Sequence, residues 1–279
     1  MFLYGAVPKW LKGKVCKTFI RRFESDRRLQ GAVRKVVHNY GSLNPGLIDD
    51  FFGSFFILIL IKPEKSVMYS SAKRNLVLKL SENGITDKSV LDAFLKCERH
   101  RFIPEAMAHF AYEDTALHIG YGQTISQPTT VAFMTQAAKI RKGDKVLEVG
   151  TGSGFQAAIL STMGAKVFSI EREYDLHVVA RERFDRLGYP VYTRWGDGSI
   201  GWNEYAPYDA ILVTAGSPSV PEPLKRQLAL GGRLIIPVGE KESQKMMIIQ
   251  RTGESDYTSE EIPHFAFVPL LGKEGWKKK

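Results

Sequence analysis

The sequence predicts an α/β fold, a doubly wound and mostly parallel sheet with antiparallel strands at its C-terminal edge. From residue 145 onward, short β-rich runs alternate with helical stretches of about a dozen residues, a spacing typical of parallel strands joined by crossover helices. A glycine-rich turn follows the first of these strands, and open α/β sheets bind ligands at such carboxyl ends. The two observations agree, because each motif described below follows a predicted strand.

The elements of the expected sheet occupy residues 141–279. The predicted parallel strands cover residues 145–149, 166–170, 191–194, 209–213 and 233–236. The predicted helices cover residues 155–163, 174–187 and 221–228. Two later β-rich runs, residues 245–250 and 265–268, are predicted to be the antiparallel edge strands.

The chain before the sheet, about residues 68–140, is predicted to be helical. One helix is expected to stop at Gly84, and a second to begin at a cap formed by Thr86 or Asp87. The apolar residues of this second helix recur at helical spacing and are Val90, Leu91, Phe94 and Leu95.

The composition excludes several classes of protein. Among 279 residues there are only two cysteines, Cys16 and Cys97, which excludes a disulfide scaffold, and we interpret Cys97 as a core residue. The apolar run at residues 51–61 is well short of the roughly 20 residues that span a bilayer. With no secretory or stop-transfer pattern, we expect a cytoplasmic protein. We also expect a monomer.

The net charge of +9 is concentrated in the N-terminal part of the chain. Residues 1–67 hold twelve Lys or Arg and five Asp or Glu, a net +7 that leaves +2 for residues 68–279. Because the second part is nearly neutral, we expect no nucleic-acid partner for it. The chain is thus divided into a basic extension, residues 1–67, and a second domain, residues 68–279.

The glycine-rich turn at residues 150–154 is the first candidate binding element. Glycine is needed where the backbone takes positive φ or where a ligand touches it, and the following helix N-terminus suits a carboxylate or phosphate. The spacing differs from the Gly-x-Gly-x-x-Gly of dinucleotide binders, and a tight turn without a ligand is the alternative. The turn reads Gly150, Thr151, Gly152, Ser153 and Gly154.

Acidic residues near other strand ends complete a nucleoside site. Glu171 ends the second strand, where a carboxylate can accept both hydroxyls of a ribose. Asp197 could accept from an adenine amine, with Gly198 admitting the base, unless this is an ordinary Asp-Gly turn. Glu148, an acid inside an apolar strand, suits either the ammonium group of a cofactor or a structural ion pair.

These residues describe a site for a nucleoside with a sugar diol and a charged tail, but without a pyrophosphate. That combination favours S-adenosylmethionine over NAD, and it predicts a methyltransferase. A methyltransferase on this fold has only to align a nucleophile and exclude water. No metal is expected. A nicotinamide oxidoreductase and a non-catalytic nucleoside-binding module are the other possibilities.

A second motif identifies a family. The block at residues 122–128, followed by the glycine turn, the Gly-Asp-Gly at 196–198 and the run at 209–214, closely resembles protein-L-isoaspartate O-methyltransferases. The resemblance extends from about Asn75 to Gly272. It implies methylation of the α-carboxylate of isoaspartyl residues in damaged proteins, which then return to aspartate through a succinimide. A methyltransferase acting on RNA or a small molecule is the alternative.

The resemblance also implies roles for individual residues. Ser126 matches the family's active-site serine, although a helix N-cap before Pro128 would explain it without a ligand. No general base is required, because a carboxylate is ionised at neutral pH. Further assignments place Thr124 and Ile125 at the cofactor and Thr214 and Ala215 at the substrate. His118 and Thr129 depart from the pattern of many relatives, and no role is assigned to them.

The resemblance has no counterpart for residues 1–67. One hypothesis is that the extension comes from a start codon read too far upstream, since Met68 would be a natural start. The other is a basic, partly apolar arm that binds a membrane surface or another protein.

Overall fold

The computed structural model describes residues 65–277. The predicted basic extension lies outside the described residues, apart from its last three, which begin the first helix. Residues Lys65–Lys279 form one compact unit. Within the part of the chain that is described, no helix is long and apolar enough to cross a membrane.

The region before the sheet is largely helical, as predicted. Asp87 is the N-cap of its second helix, where its side chain accepts from the amide of Ser89, and Cys97 is buried at the end of that helix. In chain order the elements are α1 (Lys65–Glu82), α2 (Lys88–Lys96), 3-10 turns at Arg99–Phe102 and Glu105–Phe110, β1 (Leu117–Gly120), β2 (Gln123–Ile125) and α3 (Pro128–Ala138).

A seven-stranded sheet follows, and it confirms the predicted α/β architecture. Its strand order is β5-β4-β3-β6-β7-β8-β9, with parallel pairing up to β7 and antiparallel pairing of β8 and β9. The elements are β3 (Lys145–Val149), α4 (Phe155–Thr162), β4 (Lys166–Glu171), α5 (Tyr174–Leu187), β5 (Val191–Trp195), β6 (Tyr208–Val213), α6 (Glu222–Arg226), β7 (Leu228–Gly239), β8 (Gln244–Arg251) and β9 (Tyr257–Phe265). Two 3-10 turns, Gly198–Ile200 and Asn203–Tyr205, lie between β5 and β6.

The central strands are covered on both faces, which explains their continuous apolar sequence. Successive residues of β3 face opposite sides, so that Val146 packs in one buried cluster and Leu147 in another. The first cluster contains Phe155 of α4, and the second contains Leu224 of α6. Parallel strands buried in this way lose the alternation of polar and apolar residues.

The C-terminal third differs from the prediction in two places. The helix predicted over residues 221–228 is shorter, because Leu228 is buried and already pairs with Tyr208 as the first residue of β7. The prediction of an edge strand over residues 265–268 is wrong, because the last strand covers Tyr257–Phe265. That strand, β9, is mostly exposed and polar, so it carries no apolar signal.

Candidate nucleotide and acceptor site

The candidate site lies where the strand order reverses. β3 is flanked by β4 and β6, and the chain leaves all three strands at the same edge. The backbone ties the three carboxyl ends together: the Gly150 amide donates to the Ile170 carbonyl at 2.8 Å, and the Thr214 amide to the Val149 carbonyl at 2.9 Å. Loops that follow parallel strands therefore meet here, as doubly wound sheets require.

One cavity at this edge brings together most of the predicted site residues. Gly154 and Asp197 do not line it, and their contacts are described below. The predicted residues that line it are Thr124, Ile125, Ser126, Glu148, Gly150, Thr151, Gly152, Ser153, Glu171, Gly198, Thr214 and Ala215. Residues predicted to bind the cofactor and residues predicted to bind the substrate thus line the same cavity, although residues 126 and 214 are far apart in the sequence.

The glycine turn takes the conformation that its sequence predicts. Gly150 and Gly154 have φ of +100° and +86°. A Cβ on Gly150 would lie 2.5 Å from the Thr214 hydroxyl oxygen, and one on Gly154 would lie 2.7 Å from the Phe184 ring. These two glycines are therefore required by contacts inside the protein as well as by their backbone angles.

Most backbone amides of the turn already donate hydrogen bonds to other groups of the protein. The Ser153 amide is the one without an acceptor among the described residues, while its carbonyl accepts from the Arg183 guanidinium at 2.5 Å. The other four donate to the Ile170 carbonyl (Gly150 and Thr151), the Glu171 carboxylate (Gly152) and the Thr151 carbonyl (Gly154).

Glu171 closes the turn from the neighbouring strand. Its carboxylate accepts from the amides of Gly152 at 2.7 Å, Arg172 at 2.7 Å and Glu173 at 2.9 Å. Its side chain is buried but lines the cavity. Three backbone donors hold the carboxylate in place, so it can face a ligand without a rotamer change.

Asp197 has a structural role in a turn, as the alternative interpretation of its Asp-Gly sequence predicts. It caps the 3-10 turn by accepting from the amide of Ser199 at 2.9 Å, and its second oxygen accepts from the Lys273 amide at 2.7 Å. Burial, the largest single influence, raises the pKa of Asp197. The hydrogen bonds from Lys273 and Ser199 together outweigh it, so the pKa lies below its ordinary value. Gly198 lines the cavity, and a Cβ there would collide with Val149.

Glu148 is fully buried, and only one of its two carboxylate oxygens has a hydrogen-bond partner among the described residues. One carboxylate oxygen accepts from the Ser169 hydroxyl, which also bonds to Thr151, and the other has no partner within residues 65–277. No ion pair there involves Glu148, so the predicted structural ion pair is absent from the described residues. Burial raises its pKa to about 8, against a lowering by the Ser169 bond.

Ser126 stands at the end of the β1–β2 hairpin, immediately before α3. Its hydroxyl has no hydrogen-bond partner among the described residues, and its carbonyl accepts from Arg99 at 2.8 Å. The helix N-cap is Gln127 and not Ser126, with Pro128 at the first helical position. The capping role that would have explained Ser126 without a ligand is therefore wrong.

Thr129 supports this segment from outside the cavity. Gln127 makes no capping bond of its own, and Asp114 takes that place by accepting from the Thr129 amide and hydroxyl, both at 2.8 Å. Asp114 also accepts from the Gln127 side chain at 3.2 Å. His118 is exposed on β1.

One wall of the cavity was missed by the sequence reasoning. Residues 268–271 run beside the end of β6, where the Leu270 amide donates to the Gly216 carbonyl and the Gly216 amide to the Val268 carbonyl, both at 2.8 Å. Arg172 donates to the Leu271 carbonyl at 3.2 Å. Only tertiary contacts bring this segment to the site, so no local sequence signal could have located it.

This fold and site define a class of protein, the S-adenosylmethionine-dependent methyltransferases. The described residues contain a glycine turn after the first strand of a doubly wound sheet, an acid at the end of the second strand and a buried carboxylate beneath the turn. Residues 65–277 contain no group of His, Cys, Asp and Glu that could hold a metal ion.

Comparison with known proteins identifies the family within this class. The family model described as protein-L-isoaspartate(D-aspartate) O-methyltransferase matches residues 71–275, and the chain belongs to this family. Protein-L-isoaspartate O-methyltransferase from Chlorobaculum parvum is 52% identical over 205 residues, which cover 73% of this chain and 93% of the relative. The protein of that name from Salinibacter ruber is 49% identical over 222 residues, covering 76% and 96%.

Solved structures agree with this assignment. A protein-L-isoaspartate O-methyltransferase structure matches with a TM-score of 0.66 and 29% identity, covering 73% of this chain and 67% of the other. A Plasmodium falciparum structure, described as a methyltransferase of this kind in complex with S-adenosyl-L-homocysteine, matches with a TM-score of 0.63 and 26% identity, covering 73% and 98%.

Proposed function

We propose that this protein transfers a methyl group from S-adenosylmethionine to the α-carboxyl group of L-isoaspartyl residues in damaged proteins and so initiates their repair. The observation that carries the proposal is the single cavity shared by the glycine turn and Ser126, whose hydroxyl has no partner among the described residues. Membership of the family supports the choice of acceptor.

The donor half of the site, which consists of the glycine turn with Glu148, Glu171 and Gly198, fits the cofactor. The unpartnered oxygen of Glu148 is a buried acceptor that a cationic ammonium group would satisfy, and the free amide of Ser153 suits a carboxylate. Glu171 would accept from the ribose hydroxyls, and Gly198 would face the adenine. When bound, S-adenosylmethionine supplies a methyl group that its positive sulfonium activates for displacement.

The residues of the acceptor half have an orienting task. The acceptor carboxylate is already ionised at neutral pH, so no base has to remove a proton. The Ser126 hydroxyl would donate to one carboxylate oxygen and leave the other oxygen free to attack. Thr214 and Ala215, which also line the cavity, are assigned to the acceptor. The protein contributes mainly alignment and exclusion of water.

The test is a comparison of two peptides. Transfer of labelled methyl from S-adenosylmethionine should occur to an isoaspartyl peptide and not to the same peptide with a normal aspartyl bond. Methylation of both peptides, of neither, or of RNA in preference to either would overturn the proposed acceptor. The comparison needs no variant, so its result does not depend on folding.

A substitution tests the role of Ser126. S126A should lower kcat with the isoaspartyl peptide by roughly tenfold to a hundredfold, the cost of losing one hydrogen bond to a charged group. The dissociation constant of S-adenosylmethionine, measured by calorimetry, should change less than twofold. Ser71, which is exposed on α1, offers a control: S71A should leave both quantities unchanged. Unaltered turnover in S126A would remove Ser126 from the mechanism.

We also propose that residues 68–279 form the methyltransferase domain and that the protein is a cytoplasmic monomer. The family model begins at residue 71, which supports the boundary. A chain starting at Met68 should retain the kcat/KM of the full chain, and sedimentation of the full chain should give a single monomeric species. Loss of activity in the shorter chain would show that the extension belongs to the domain.

A further inference from the structure

Arg99 is the largest fully buried side chain in the described part of the protein. It is 1% exposed, and none of the ion pairs within residues 65–277 involves it. Burial lowers its pKa to about 10, so the guanidinium remains protonated at neutral pH. The Asp114 carboxylate, although it forms no ion pair with Arg99, offsets part of this lowering of the pKa. Burying the charge is still costly, and such a residue calls for a specific explanation.

The guanidinium donates to three backbone carbonyls that lie on either side of the hairpin. They are the carbonyls of Ala111 at 2.9 Å, Thr115 at 3.2 Å and Ser126 at 2.8 Å. Thr115 precedes β1 and Ser126 follows β2, so one side chain holds both ends of the hairpin. The peptide group between Ser126 and Gln127 is thereby fixed by a charge-assisted hydrogen bond to the Ser126 carbonyl.

Arg99 also contacts the donor half of the site. Its guanidinium carbon lies 5.5 Å from the centre of the Phe155 ring, within range of a cation–π interaction. Phe155 is the first residue of α4, directly after Gly154, and it lines the cavity. A single buried cation thus contacts both the segment that ends in Ser126 and the helix that begins at the glycine turn.

We propose that Arg99 is a positioning residue that fixes Ser126 relative to the glycine turn and so aligns the acceptor carboxylate with the methyl donor. Arg99 does not line the cavity and acts through the Ser126 peptide and Phe155. Displacement at a methyl group requires in-line geometry, and a shift of about 1 Å can cost on the order of a hundredfold in rate. The inference rests on the proposed function, whose acceptor it takes as given.

The test uses R99K and R99M beside a matched control. Arg251 also donates to three backbone carbonyls, those of Leu228, Gly253 and Glu254, but it lies on β8 and does not line this cavity. Arg251 is half-buried, so R251K measures the stability lost when an arginine that bonds to three carbonyls is replaced away from the cavity. Lysine keeps the charge of Arg99 but cannot reach three carbonyls as a planar fork.

We expect R99K to lower kcat for the isoaspartyl peptide by about tenfold and R99M by about a hundredfold, per folded molecule. The dissociation constant of S-adenosylmethionine, by calorimetry, should change less than threefold in both. R251K should leave kcat unchanged. If R99K and R251K lower the melting temperature alike and both retain wild-type kcat, Arg99 is merely structural and the proposal is overturned.

A second measurement does not depend on activity or on R99M folding. Hydrogen exchange in R99K should become faster for the amides of residues 115–127, while the amides of residues 146–154 keep their protection. If exchange becomes faster throughout the protein, or does not become faster in the hairpin, the proposal that Arg99 positions this segment is overturned. If the wild-type protein fails to methylate the isoaspartyl peptide, the proposed function fails instead, and the exchange result still decides whether Arg99 holds the hairpin.

Discussion

The two halves of the site are built from different kinds of interaction. The glycine turn of the donor half, residues 150–154, is held by backbone hydrogen bonds between loops that leave adjacent parallel strands. The side chains of Glu171, Arg183 and Thr214 add hydrogen bonds to its backbone. Ser126, in the acceptor half, directly follows a two-stranded hairpin outside the main sheet. Two buried or half-buried side chains hold this segment: Arg99 donates to the Ser126 carbonyl, and Asp114 accepts from Gln127 and Thr129 beside it. Strand register therefore places the glycine turn, with side chains adding to its hydrogen bonds, whereas the Ser126 segment depends mainly on the side chains of Arg99 and Asp114.

This difference has a consequence for mutational sensitivity. Substitutions in the donor half should act through sterics and backbone conformation, and they should change cofactor affinity. Substitutions that remove the supports of the acceptor half should change turnover or KM for the peptide and leave cofactor affinity almost intact.

The largest effect is expected for G150A, on the donor side. The new Cβ would lie 2.5 Å from the Thr214 hydroxyl, which is itself bonded to the Gly150 carbonyl at 2.7 Å, and φ is +100°. The turn must move, so the affinity for S-adenosylmethionine should fall by at least tenfold, or about 1.4 kcal/mol. Calorimetric titration measures this.

Gly188 provides the control for G150A. It has φ of +73° at the end of α5, but a Cβ there meets nothing within 4 Å. G188A therefore carries the backbone strain without the collision, and it should lower the melting temperature while leaving cofactor affinity unchanged. Equal affinities for G150A and wild type would contradict a sterically determined donor half.

A smaller effect is expected for D114A, on the acceptor side. It removes the remote cap of α3 and the hydrogen bond to Gln127, next to Ser126. We expect KM for the isoaspartyl peptide to rise by about fivefold and the free energy of unfolding to fall by about 1 kcal/mol, a typical cost of losing a cap. Steady-state kinetics and denaturant unfolding measure these changes.

D87A is the matched control, because Asp87 caps α2 through the amide of Ser89 and does not line the cavity. It should lose a similar amount of stability with no change in KM. If D114A and D87A lose equal stability and both keep the wild-type KM, the acceptor half does not depend on Asp114 for its position.

A further prediction concerns Glu148, beneath the glycine turn, and is a dependence of stability on pH. Its pKa is raised from 4.5 to about 8, so between these values the folded state holds a proton that the unfolded state has released. The contribution of Glu148 to stability therefore falls as pH rises through this window, by up to about 1.4 kcal/mol per pH unit, and is constant above it.

The variant E148Q should remove this contribution and flatten the profile measured by denaturant unfolding without cofactor. The exposed residue Glu182 on α5 is the control, since E182Q should leave the profile as in wild type. A profile of equal slope in E148Q and wild type would mean that Glu148 is ionised in the folded protein.

Much of the donor half was predictable from sequence because its determinants are local. β3 and α5 have the predicted boundaries, and the glycine turn lies between a strand and a helix as its composition indicates. The boundaries of α6 and β7 were missed because Leu228 is placed by its pairing with Tyr208, a contact across the sheet. The polar edge strand β9 carries too little apolar signal to be found.

The sequence by itself determined the fold class, the glycine turn and, through the Ser126 block, the family. These follow from local periodicity, from backbone angles that glycine allows, and from a short motif. The tertiary structure alone decided that residues 268–271 wall the cavity, that Asp197 is bound by Lys273, and that Arg99 holds Ser126. Each of these depends on contacts between residues distant in the chain, which no local pattern encodes.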